Sequence, residues 1–303
     1  MDYSKFSKKH LIHHWYYYLA GAGILALNKI RHELRGYLTS RPFSALELDK
    51  VINYDLEVVT SWLTELKNYD HSDAVANLNI LELGPGSDLG VALNFLSLGA
   101  NEYFALDKFP LIDQAPNALY QKLIDKISKN ETQKKYLQQE VALFAKNQSG
   151  KIHYVQDQNF SLKHFLDKKI DLVVSQAAFE HFDNPAQVIK EIGQISQSGT
   201  KVVAQIDMMT HSRWIKNVDP LNIYRYGDFY YQHTKFAGSP NRWRPDEYVA
   251  EFKKAGFKNI KIVPMSTLPL DYISDITSHL YQKFRPKEKQ MEILDCYLLA
   301  TKE

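Results

Sequence analysis

The chain has 303 residues, with 37 Lys and Arg against 35 Asp and Glu, and the resulting net charge of +2 gives no general attraction to polyanions. Hydrophobic residues make up 45% and charged residues 24%, the balance of a globular protein and not of a disordered, collagen-like or channel-forming chain. Its one cysteine, Cys296, excludes an intramolecular disulfide framework and a multi-cysteine zinc site, and it suits a reducing compartment.

Trp15 to Leu27 read WYYYLAGAGILAL, thirteen residues without a charge and too few to span a bilayer as a helix. Lys5, Lys8 and Lys9 precede this run, and Lys29, Arg31 and Arg35 follow it. A signal peptide needs the basic front and the small residues found at Ala20 to Gly23, but the apolar run continues past them. Contact with an anionic membrane surface is a second reading, because residues 1–35 hold six basic and two acidic residues. The reading adopted is a helical pair whose apolar faces pack on the main domain. His10, His13 and His14 are spaced like ligands but lack a neighbouring carboxylate, so no metal is expected.

Through about Asp73 the chain reads as helix, since Leu46, Val51, Ile52, Leu56, Val59, Leu63 and Leu66 recur at three- to four-residue steps, with Ser44 and Glu47 as a capping box. After Asn77 short apolar runs alternate with amphipathic stretches, the pattern of a parallel sheet with crossover helices. A domain boundary is therefore set between residues 77 and 78. The predicted strands are Asn79 to Leu83, Glu102 to Leu106, Lys151 to Val155, Ile170 to Ser175, Lys201 to Ile206, Ile260 to Pro264 and Cys296 to Thr301. Helices are predicted over Asp88 to Leu98, Ala186 to Ser196 and Pro245 to Ala255, the last stopped by Gly256. Two connections exceed simple crossovers: Lys108 to Gly150, read as helical, and Met208 to Arg244, rich in aromatic residues and proline.

The first strand runs Ile80-Leu81-Glu82-Leu83 into the turn Gly84-Pro85-Gly86. In an open parallel sheet, ligands bind at strand C-termini beside such a turn, where glycine permits close approach. Asp107 ends the second strand about 20 residues on, where a carboxylate can accept both ribose hydroxyls. Asp157 follows the third strand and suits an adenine amino group. The turn lacks the third glycine of a pyrophosphate fingerprint, and Glu82 would repel a pyrophosphate while attracting an amino group.

With these residues in order, the sequence from about 78 to 303 resembles the class I S-adenosylmethionine-dependent methyltransferases. Glu82-Leu83-Gly84-Pro85-Gly86 is similar to the family's first motif, Asp107 to its ribose acid, Asp157 to its adenine acid and Ile170 to Gln176 to its fourth-strand motif. The resemblance implies an α/β Rossmann-like sheet of seven strands, the last inserted antiparallel beside the sixth. It implies S-adenosylmethionine as cofactor, held by Glu82, Gly84, Pro85, Gly86, Asp107, Lys108, Asp157, Gln158 and Gln176; residues 1–77, outside the resemblance, are read from their helical pattern as a cap or substrate lid. The Lys108 to Gly150 insertion departs from the family pattern.

Methyl transfer asks an enzyme to align the acceptor and to manage one proton. His181, leaving the fourth strand at the expected pocket, is the candidate general base, and the other reading is that Glu180 and His181 only fix the loop. Glu180, His211, Tyr224, Tyr230, His233 and Arg242 are the candidate acceptor-binding residues. Aromatic residues of the 208–244 stretch either stack on an acceptor or fasten the loop to the N-terminal helices. Arg225, Arg242 and Arg244 offer forks for a phosphate or carboxylate. Residues 220–257 resemble those of methyltransferases of bacterial surface-polysaccharide and glycolipid pathways and of small-molecule O-methyltransferases. The expectation is O-methylation of a small molecule or sugar-linked hydroxyl by a cytoplasmic enzyme, at the inner face of the membrane if the N-terminal segment makes peripheral contact, with no nucleic-acid partner. The alternatives are a nicotinamide-dependent oxidoreductase and a non-catalytic, membrane-associated subunit of the same fold.

Overall fold

The structure is a computed structural model and describes residues 3, 6, 14–35, 47–72, 74–212 and 214–303. Ser44, Leu46, His10 and His13, which entered the sequence reading, lie outside the described residues.

Seven strands form one sheet: β1 (Asn79–Leu83), β2 (Glu102–Asp107), β3 (Ile152–Gln156), β4 (Ile170–Gln176), β5 (Ser196–Asp207), β6 (Phe257–Thr267) and β7 (Ile293–Lys302). Their order is β3-β2-β1-β4-β5-β7-β6. Strands β1 to β5 run parallel, and β7 lies antiparallel to both β5 and β6. The expected inserted last strand is thus present. Strands β6 and β7 are longer than their apolar runs suggested, because they continue pairing through polar positions such as Lys258 with Thr301.

Nine α-helices accompany the sheet among the described residues: α1 (His14–Arg35), α2 (Leu48–Asp70), α3 (Gly90–Ser97), α4 (Asn117–Ile127), α5 (Glu131–Ala145), α6 (Pro185–Ile195), α7 (Asp228–Thr234), α8 (Pro245–Lys254) and α9 (Leu270–Ile276). The helix α3 begins two residues later than Asp88 because the Asp88 carboxylate accepts the Gly90 N–H at 2.8 Å. Asn184 caps α6 by accepting the Gln187 N–H, and Pro185 occupies its first turn. The 108–150 insertion folds as α4 and α5, whose Leu119, Leu123, Ile124 and Leu137 are buried in the core on one side of the sheet.

Along α2, Ile52, Asp55, Val59, Trp62 and Leu66 recur at helical spacing and are all buried. Trp62 stacks on Phe95 of α3, with ring centroids 6.2 Å apart, so α2 shares a core with the sheet. In contrast, α1 docks on the 208–244 stretch. Asn222 donates to the Tyr17 carbonyl at 3.0 Å, the Tyr226 hydroxyl to that of Tyr18 at 2.8 Å and the Tyr230 hydroxyl to that of Ala22 at 2.7 Å. Gly21 permits this approach, since a Cβ there would lie 2.1 Å from the Asn222 side-chain oxygen. No helix among the described residues is long and apolar enough to cross a membrane.

Candidate active site

A cavity of about 490 Å³ opens at the C-terminal ends of the parallel strands, within the range of small-molecule sites. The glycine turn after β1 forms one wall, with Gly84 at φ +75° and Gly86 at φ +77°. A Cβ on Gly84 would lie 2.7 Å from that of Ala178, whereas one on Gly86 would meet open space. The first glycine is therefore required by packing within the protein, and the second leaves room for a ligand. The turn is fixed to β2 by the Gly86 N–H, which donates to Asp107 at 3.1 Å.

Four acids converge here, and all line the cavity: Asp55 from α2, Glu82 from β1, Asp88 from the turn and Asp107 from β2. Each is less than a tenth exposed. Glu82 accepts the Tyr103 hydroxyl at 2.6 Å, and burial pushes its carboxyl up to about 8. Burial, then the neighbouring Asp88 and Glu82, push Asp55 up to about 9. Burial also raises Asp88 and Asp107. Among the described residues no Lys, Arg or His forms an ion pair with any of the four, and Lys108, on the cavity wall, is turned to Asp183 at 2.7 Å. A cavity so furnished favours a cation and disfavours a pyrophosphate.

Of the other expected cofactor residues, Pro85, Gln158 and Gln176 line the cavity, with the Gln176 amide donating to Gln205. Asp157 is not among the lining residues. Its carboxylate is engaged by His164 at 2.9 Å, which holds it below the usual range, and Gln158, Asn159 and Phe160 form the wall after β3. Tyr54, Asp55, Asp88 and Gly238 line the cavity without having been singled out from the sequence. One signal was available for Asp55, an acid on the apolar stripe of α2.

The structure places four of the proposed acceptor-binding residues in the scaffold. The Tyr224 hydroxyl donates to the Met208 carbonyl at 2.7 Å, Tyr230 holds α1, and His233 bonds back to the Phe229 carbonyl. Arg242 donates to the Ile223 and Tyr226 carbonyls and to Asp228, with its guanidinium 3.9 Å from the Tyr231 ring centroid. Arg225 pairs with Asp219 at 2.7 Å, and Arg244 donates to the carbonyls of Lys289, Gln290 and Ile293. These aromatic and arginine side chains fasten the long insertion to α1 and to the rest of the chain.

The remaining candidates form a cluster. Glu180 and His181 occupy the short 3-10 turn Phe179–His181 after β4, and His211 follows the end of β5, so the adjacency of the two strands brings the three together. The His181 and His211 rings lie 4.8 Å apart. His181 lines the cavity, as does Gly238. Burial lowers the pKa of His181 and, with Asp207 opposing, takes His211 down to about 4, so both rings are neutral at pH 7. Burial raises Glu180 well above the usual carboxylate range. Just before this turn Ala177 has φ +49°, a conformation an L-residue keeps only when its surroundings impose it.

The profile of the methyltransferase domain family matches residues 47–262. The chain belongs to this methyltransferase family. No curated protein matches it. Among solved structures it is similar to phosphoethanolamine N-methyltransferase 2 of Haemonchus contortus in complex with S-adenosylmethionine, at 15% identity over 82% of this chain and 52% of that one, with a TM-score of 0.45. It is also similar to the YcgJ protein of Bacillus subtilis, at 14% identity over 80% and 99% of the two chains and a TM-score of 0.40. An S-adenosylmethionine-dependent methyltransferase of Mesorhizobium loti aligns at 15% identity over 76% and 93%, with a TM-score of 0.40.

The methyltransferase has S-adenosylmethionine as its cofactor. The residues present fit that group. Its ammonium and sulfonium charges answer the unpaired acids, and the open face of Gly86 leaves it space.

Proposed function

We propose that this methyltransferase methylates a hydroxyl of a small molecule or a sugar-linked acceptor. The observation that carries the reading is the Glu180–His181–His211 cluster, buried and joined to the cofactor cavity through His181. A hydroxyl must lose its proton as it is methylated, and neutral imidazoles at that place can draw it off. The cofactor supplies an activated methyl group. Asp55, Glu82 and Asp88 hold the cationic end of the site, and Asp107 with Gln158 faces the nucleoside end. His181, on the cavity wall, is the catalytic candidate of the cluster. The likeness of residues 220–257 to methyltransferases of surface-polysaccharide pathways makes sugar hydroxyls the first acceptors to try. The test is transfer of a radiolabelled methyl group to a panel of hydroxyl, amine and thiol acceptors, with glycosides included. Labelled ethers support the reading, and label confined to amines or thiols overturns it.

We also propose that α1 rests on an anionic bilayer. Its outward side exposes Trp15, Tyr16, Leu19, Leu27, Ile30 and Leu34 in one stripe, the composition of an interfacial helix, with Arg31 exposed beside it. Co-sedimentation of the full chain with phosphatidylserine vesicles tests this. Binding that falls with salt and with Leu27→Asp/Leu34→Asp supports it, and equal soluble fractions with and without vesicles overturn it.

A further inference from the structure

The Glu180–His181–His211 cluster has more ligand capacity than a hydrogen-bonded turn requires. One ligand atom from each residue lies within 4.8 Å of the other two. His181 Nδ1, His211 Nε2 and both carboxylate oxygens of Glu180 are shielded from solvent, and among the described residues none of them meets a hydrogen-bonding side chain. Glu180 is 2% exposed. An unsatisfied buried polar group costs roughly 1–3 kcal/mol, so several facing one gap call for something that fills it. Lys216, whose charge reaches both Glu180 and His211, is tied to Asp207 at 2.9 Å and does not supply that partner.

We propose that Glu180, His181 and His211 bind a divalent transition-metal ion of the Zn²⁺ and Co²⁺ class beside the cofactor cavity. Two imidazoles and one carboxylate suit such ions, whereas Mg²⁺ and Ca²⁺ prefer oxygen ligands throughout. Neutral rings are the form that coordinates. Asp207, with Oδ2 3.6 Å from His211 Nε2, stands beside the cluster as outer support or further ligand. A tetrahedral ion with bonds near 2.0–2.2 Å sets its ligand atoms roughly 3.4 Å apart, so the three side chains draw together by about an ångström on binding.

The ion site stands on its own geometry, and its part in catalysis rests on the hydroxyl reading. With the ion bound, the two imidazoles are ligands instead of bases; the cation would lower the pKa of an adjacent acceptor hydroxyl, so its proton would pass to water and the oxygen would attack the methyl carbon as the carbon–sulfur bond breaks with its electron pair on sulfur.

The test is titration of the chelator-treated full-length protein with Co²⁺, followed by the ligand-field absorption bands, and with Zn²⁺ by calorimetry. One ion bound per chain in the micromolar range or tighter is expected, with affinity lowered at least about tenfold by Glu180→Gln and by His211→Ala. Absence of ligand-field bands from the unaltered protein overturns the proposal whatever the variants do, and so does binding that survives both substitutions in folded protein. A parallel assay of methyl transfer to the hydroxyl, amine and thiol panel separates the two readings. Labelled ethers without ion binding sink the ion site alone, and ion binding with label confined to amines or thiols leaves the site and sinks the hydroxyl reading.

Discussion

Asp55 on α2 and Asp88 in the glycine turn stand together on the cavity wall, both carboxyls raised by burial and Asp55 raised further by the neighbouring Asp88. Two ionised carboxylates do not hold that arrangement. Helix α2 thus sets a carboxyl raised by burial against the cofactor turn, at the place where the cofactor brings positive charge.

Cofactor binding is therefore expected to release protons. A cation next to Asp55 and Glu82, which stand at about 9 and about 8 without it, favours their ionised forms. Calorimetric titrations at pH 7 in buffers of different ionisation enthalpy should show proton release with S-adenosylmethionine. Release should be smaller with the demethylated product, which lacks the sulfonium charge, and smaller again in Asp55→Asn. Affinity for S-adenosylmethionine should rise with pH from about 6 to 9. A flat profile, with equal proton release for the two compounds, contradicts this coupling.

Without cofactor, the same acids set the pH dependence of folding. Their folded pKa values lie above the unfolded ones, so between about 4 and 9 the native state binds more protons than the unfolded state. Stability is full below the unfolded pKa and is lost as pH rises through the folded value. The thermal midpoint of the cofactor-free protein should fall from pH 5 to pH 8.5. Asp55→Asn, which removes the buried charge, should stabilise it by about 1–2 kcal/mol at pH 8 and flatten the slope.

Gly84→Ala places a Cβ against Ala178 at a positive φ. A loss of about 2–3 kcal/mol in stability is expected, together with at least a tenfold loss of cofactor affinity. Denaturant unfolding and a cofactor titration measure the two effects. Gly86→Ala, with open space at its Cβ, should keep stability within about 1 kcal/mol of the parent while still weakening cofactor binding, since positive φ and lost ligand room act there without a clash.

His181→Ala should lower turnover at least about tenfold while leaving cofactor affinity within about threefold. Single-turnover kinetics and equilibrium binding, measured on an acceptor identified by the radiolabel assay, give the two numbers. Unchanged turnover would reduce His181 to a support of its loop.

The sheet was legible because its strands are short apolar runs between turn residues, and burial on both faces leaves such runs little freedom. The glycine turn and Asp107 were legible because their chemistry is local to strand ends. Asp157 was harder to place, because its His164 partner sits seven residues away in a loop without periodicity. The part of Asp55 depends on how α2 lies across the turn, a long-range packing outcome that one helix's pattern does not contain. The aromatic residues of the 208–244 stretch had two readings of equal weight, and the hydrogen bonds to Tyr17, Tyr18 and Ala22 that separate them join residues about 200 positions apart.

Because β7 lies between β5 and β6, the sheet cannot close in the order in which it is synthesised. While β7 is unmade, β5 presents a bare edge of amides and carbonyls, and the already completed β6 has no neighbour to join. The nascent chain must keep that edge from pairing with another molecule until β7 has emerged from the ribosome. Completion of the sheet in this sense waits for β7, and truncations within β7 should yield aggregation-prone chains instead of a smaller enzyme.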